Sequence, residues 1–171
     1  MTEPDRVGPP LTADERSTLV GFLDYQRATF EWKCSGLTPE QLADRAVPPS
    51  PLSLLGLLRH LAEVERAWFS QVETGVRPPW LYCTDAEPDG DFDGAVADPA
   101  VVAEAYDTWR AAVARARAVI DRTELDATFH NQRWDITISL RWLLSHMIEE
   151  YARHNGHAEL LRERIDGATG E

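Results

Sequence analysis

Residues 140–165 read LRWLLSHMIEEYARHNGHAELLRERI. On a helical wheel of about 100° per residue, Leu143, Met147, Tyr151, Ala158, Leu161 and Ile165 fall roughly 60° to 140° from His146. A single apolar stripe of that length belongs to a helix that buries one side against other helices. The spacing predicts a helix from about 138 to 165, closed by Gly167. Three of the five histidines lie in it. Glu150 and His154 sit side by side within the stripe, His146 and His157 lie at its flank, and Glu149 and Glu159 face water.

Three further segments carry helical periodicity. Thr12 with Glu15 forms a capping box for a helix that runs to about Ser35. Ser53 starts a second, SLLGLLRHLAEVERAWF onward to Gly75. The third starts at Asp98-Pro99 and ends near Thr123, with Val102, Ala105, Trp109, Val113, Ala116 and Ile120 on one face. Between them, the prolines of 37–52 predict an extended crossing and the Pro, Gly and Asp of 76–97 a long loop. Residues 125–135 read as a polar bend, and no segment alternates convincingly as a strand. The pattern is that of an all-α four-helix bundle over 12–166, after a flexible leader at 1–11.

The chain has 171 residues, 43% of them hydrophobic, enough for one core without disulfides. Its formal charge of −12 argues against a nucleic-acid partner, whose phosphates need clustered cations. No uninterrupted apolar run of membrane-spanning length and no signal-like N-terminus occurs, so no membrane is expected and the location read from the sequence is cytoplasmic. Cys34 and Cys83 form no CxxC pair and read as reduced bystanders. Asp89, Asp91, Asp93 and Gly94 imitate the first half of a calcium-binding loop, but its twelfth position is Ala100, which removes the bidentate glutamate. No GxSxG, P-loop or GxGxxG is present.

The chemistry therefore concentrates on the last helix. A buried carboxylate is costly unless paired or bound to metal, so the neighbours Glu150 and His154 have two readings: a hydrogen-bonded core pair, or two ligands of a metal. A third ligand has to come from another helix, and His60, at the edge of the second helix's apolar face, is the leading candidate. Glu65 is embedded deeper in that face, where a buried salt bridge to an arginine such as Arg141 is favoured over ligation. His130 in the polar bend reads as solvated.

The segments SLLGLLRHLAEVERAWF and LRWLLSHMIEEYARHNGHAELLRER together resemble the DinB-like superfamily, in particular its DUF664 branch, which is similar to mycothiol-dependent maleylpyruvate isomerases and thiol S-transferases. The likeness extends from the first helix to Ile165. It rests on a helix-two histidine followed by ERxWF, and on a helix-four acid or histidine followed by His, a variable residue and Gly. The resemblance implies a DinB/YfiT-like bundle holding a divalent metal, zinc or nickel, on positions that map to His60, Glu150 and His154. A glutamine common in the family is replaced by His157, which is then either a supporting residue or an alternative ligand.

The function implied is a metal-dependent S-transferase with mycothiol as co-substrate and a small electrophile as acceptor. Tyr151 and His157 are candidates for orienting the substrate or relaying a proton. Two alternatives remain beside it: a hydrolase using metal-bound water, and a non-catalytic metal-binding stress-response protein. A homodimer is left open.

Overall fold

The computed structural model describes residues 6–131 and 133–170. Its elements in chain order are α1 (Glu15–Cys34), α2 (Pro39–Ala43), α3 (Leu54–Thr74), α4 (Gly90–Asp93), α5 (Pro99–Arg122), β1 (Thr128–Asn131), β2 (Ile136–Ser139) and α6 (Leu140–Asp166). The four long helices α1, α3, α5 and α6 form the bundle, with α3 packed on α5 and α1 on α6. Local chemistry sets most of their ends. Ser53 caps α3 by accepting from the Gly56 N–H, and Gly75 closes it in the left-handed region at φ 73°. Asp98 caps α5 with Pro99 as its first residue, and Gly167 closes α6. The cap of α1 is Asp14, not the expected Thr12, because its carboxylate accepts from the Ser17 N–H at 2.9 Å.

Three connections differ from the sequence expectation. The crossing at 37–52 contains the short helix α2, started by a Thr38/Gln41 capping box. The polar bend is a β-hairpin in which Phe129 faces Ile138 across the ladder, with Asp135 at φ 53° in its turn. The Gln71 side-chain amide of α3 donates to the His130 carbonyl at 2.7 Å, which fastens the hairpin to the bundle. Ser139, the last residue of β2, is the N-cap of α6, so hairpin and helix are continuous.

The segment 76–97 is anchored on α3 rather than loose. Arg59 donates to the Asp91 and Gly90 carbonyls at 2.9 and 3.0 Å, and Glu63 accepts from the Leu81 and Tyr82 backbone N–H groups. The fit is close: a Cβ at Gly90 would stand 2.2 Å from the Tyr82 carbonyl oxygen. Of the expected leader, residues 1–5 lie outside the described residues. Arg6 donates to Thr29 Oγ1 at 2.8 Å and covers the Trp32 ring, so this part of the leader lies against α1.

One buried polar network joins the four long helices within the apolar core. There Arg27 of α1 holds Glu65 of α3 through two bonds of 2.7 and 2.8 Å. Tyr151 of α6 donates to the same carboxylate at 2.9 Å and accepts from Trp109 Nε1 of α5 at 2.8 Å. Burial opposes the Arg27 charge, but the Glu65 carboxylate outweighs it and holds the guanidinium protonated; burial pushes the Tyr151 hydroxyl well up. Glu65 is thus salt-bridged as expected, but to Arg27. Arg141 instead pairs at the surface with Glu15 and Asp126, too far round α6 to enter the core. Among the described residues no helix is long and apolar enough to cross a membrane.

Candidate metal centre

His60 stands on the second turn of α3, and Glu150 and His154 occupy successive turns of α6. One ligand atom from each of the three lies within 4.8 Å of the other two. Glu150 Oε1 is 3.3 Å from both His60 Nε2 and His154 Nε2. The rings of His60 and His154 meet edge to face with centroids 4.9 Å apart. The structure therefore brings together the three residues singled out from the sequence, across 90 positions of chain.

Each imidazole is held from behind. His60 Nδ1–H donates to Asp91 Oδ2 at 2.8 Å, which leaves Nε2 turned toward Glu150, and the ring lies stacked against Phe92 with centroids 5.5 Å apart. Nδ1 of His154 lies 3.3 Å from Nδ1 of His157, so one of the two carries the shared proton. Burial and the neighbouring His154 and Arg153 lower the pKa of His157, which suits it to accept from His154 Nδ1–H. A carboxylate or other acceptor on the far nitrogen is the usual means by which a protein fixes the tautomer of a metal-binding histidine.

Without an ion the cluster is a proton site. Burial would lower the pKa of His60, but hydrogen bonds and charge from Asp91 and Glu150 override it and hold the imidazole at about 9. The hydrogen bonds of His154 and His60 keep Glu150 ionised well below the usual carboxylate range, against the effect of burial. Two imidazoles and a carboxylate, with their lone pairs facing one small volume, fit a borderline divalent ion in the three-ligand arrangement that leaves a position open.

A cleft of about 450 Å³ opens beside the cluster, with His60, Asp91 and Glu150 at one end. Its walls come from α3, from the segment after it and from the hairpin: Trp68, Arg77, Trp80, Arg133 and Trp134. Sequence reasoning missed Asp91, read there only as part of a rejected calcium loop, and missed the hairpin and post-α3 residues, since nothing local marks them as cleft walls. His146 lines the cleft too, its ring stacked on Trp142 with centroids 4.9 Å apart, but it is outside the ligand cluster. Tyr151 is fully buried, with its hydroxyl committed to Trp109 and Glu65. His130 is exposed and pairs with Asp135 at 3.4 Å. Both cysteines are free and buried.

Comparison with known proteins adds two findings. A family model described as mycothiol-S-transferase matches residues 18–167. The fold is similar to that of a crystal structure titled as the conserved protein of a locus from Enterococcus faecalis. The TM-score is 0.62 at 18% identity, over 92% of this chain and 100% of that one, a likeness of fold alone. No curated protein gives a significant match.

Proposed function

The chain belongs to the mycothiol-S-transferase family, within the DinB-like proteins, and on that footing we propose that it transfers a low-molecular-weight thiol, mycothiol, to a small electrophile at a metal centre formed by His60, Glu150 and His154. The observation that carries the reading is the convergence of these three donors within 4.8 Å at the end of an open cleft. A divalent ion held there, zinc or nickel, would supply the Lewis acidity that makes a thiol a thiolate at neutral pH.

The rest is the work of the chain. Asp91 fixes the His60 tautomer so that Nε2 is the free donor, and His157 does the same for His154 as a positioning residue. Phe92 covers one face of the His60 ring. In the transfer the thiol sulfur forms a bond to the electrophilic carbon, the leaving group departs with its electron pair, and the thiol proton passes to solvent. The buried, unpaired cysteines suit the reducing cytoplasm proposed as its location.

The test is cobalt substitution of untagged protein. Mycothiol is expected to produce a sulfur-to-cobalt charge-transfer band with proton release, and glutathione a weaker one. If no thiol perturbs the spectrum while the zinc protein hydrolyses an ester or amide without thiol, the transferase reading is wrong and water activation replaces it.

A further inference from the structure

We infer that the outer end of the cleft is a carboxylate-binding subsite, formed by Arg77 and Arg133 around Trp80, and that the electrophile is a flat, apolar molecule bearing an acidic group. The identity of the occupant as the electrophile rests on the transferase reading above; the subsite itself does not.

The chain carries 29 acidic against 17 basic residues, so an arginine has many partners to choose from. Yet neither Arg77 nor Arg133 has a hydrogen bond or ion pair among the described residues, and both line the cleft. They share one ring: the Arg77 guanidinium lies 3.8 Å from the Trp80 centroid and that of Arg133 5.5 Å. The two cations are close enough that, after burial, Arg133 is the next largest cause of a lowered pKa at Arg77. Two like charges brought to one aromatic ring, with only the already hydrogen-bonded Glu63 near enough to offset the charge of Arg77, constitute an unfilled binding capacity.

The acids of the cleft do not fill it. Glu63 is held by the Leu81 and Tyr82 N–H groups, Asp91 by His60 and Phe92, and Glu150 by His60 and His154. Asp89 is exposed on the rim and pairs with neither arginine. A guanidinium presents its donors as a planar fork that matches a carboxylate. The same cleft is lined by indoles: Trp68 and Trp134 meet edge to face with centroids 5.2 Å apart, and Trp134 and Trp80 are 46% and 41% exposed. Large indole surfaces left open in a cleft suit a planar apolar body better than a hydrated one.

The probes are chloronitrobenzoate and chlorodinitrobenzene, which differ in having a carboxylate in place of one nitro group. Thiol attack on either forms a C–S bond, breaks the C–Cl bond, and releases chloride and the thiol proton. Binding is read first, without thiol, by quenching of tryptophan fluorescence in the full-length protein. The expected result is selective binding of the carboxylate probe, weakened by about tenfold or more in Arg77→Gln/Arg133→Gln while the neutral probe shifts less than about twofold. Circular dichroism checks that the variant folds. Independently of any variant, raising salt from about 0.05 M to about 0.5 M is expected to weaken only the carboxylate probe in the unmodified protein. Equal binding of both probes, or equal loss of both in the variant, overturns the subsite. Selective binding without thiol-dependent turnover leaves the subsite standing and refutes the transferase reading; turnover of both probes without selectivity does the reverse.

Discussion

Replacing Asp91 by asparagine changes one oxygen to nitrogen at a residue that is only 4% exposed. In the protein the carboxylate accepts from His60 Nδ1–H at 2.8 Å and, through its other oxygen, from the Phe92 N–H at 3.0 Å. The introduced amide can keep one of these bonds. If its oxygen stays with Phe92, its NH2 faces His60, Nδ1 must become the acceptor, and the ring proton moves to Nε2, the atom turned toward Glu150. If its oxygen turns to His60, the tautomer survives but the negative charge behind it is lost. Hydrogen bonds to charged groups contribute about 1.5–3 kcal/mol, and loss of such a supporting partner costs about 10–100-fold in metal affinity, or roughly 1.4–2.8 kcal/mol. The two magnitudes agree, so Asp91→Asn is expected to weaken zinc binding by about 10–100-fold, measured by competition with a chromophoric chelator. Circular dichroism of the metal-free variant should match that of the unmodified chain. Zinc affinity within about twofold of the original would refute the assigned role of Asp91, because the tautomer would then be set elsewhere.

His154→Ala is expected to remove nearly all bound metal, whereas His146→Ala, which alters ring contacts with Trp68, Trp134 and Trp142 outside the ligand cluster, should retain it; elemental analysis of untagged protein decides both. Glu65→Gln leaves the buried Arg27 charge with only the more exposed Asp24 as an anionic partner and should cost about 3 kcal/mol, a fall of roughly 6–12 °C in the thermal midpoint. Tyr151→Phe should lose about 1–3 kcal/mol in urea unfolding with metal content unchanged; loss of metal or of thiol transfer without loss of stability would instead give Tyr151 a part in the chemistry. Cys34 is buried away from the cleft and burial raises its thiol, so Ellman's reagent should not register it until the protein is denatured; rapid reaction of Cys34 in the folded state would contradict its placement.

Helix positions were legible where punctuation and periodicity agree, as at Ser53 and Gly75 or Asp98-Pro99 and Gly167. The ligand trio was legible for a related reason: Glu150 and His154 share a face through their i,i+4 spacing, and only His60 had to be supplied from another helix. The hairpin was not, because four-residue strands are stabilised by docking on the bundle and carry little local signal; of β2 only Ile138 is buried. Partners distant in sequence were invisible as well. A helical wheel shows that Glu65 faces inward but not that Arg27, 38 positions earlier, meets it, nor that Asp91, 31 positions after His60, comes up behind its ring.

The polar network at the centre of the bundle draws one side chain from each long helix, and it can act as a detent. Apolar stripes tolerate sliding: a helix displaced along its axis by one turn, about 5.4 Å, still sets leucine against leucine. The network tolerates none, since such a slip strands the Arg27 charge, the Glu65 carboxylate and two further donors in the interior. Glu65 follows His60 by five residues, about 7.5 Å along α3, and Tyr151 directly follows Glu150 on α6. The alignment of α3 with α6 that seats the tyrosine on the glutamate is the same alignment that sets Glu150 and His154 opposite His60. Wear in that detent should therefore surface first in the metal-free protein, as ligands sampling more than one spacing that a bound ion still draws together, before it surfaces as an unfolded protein.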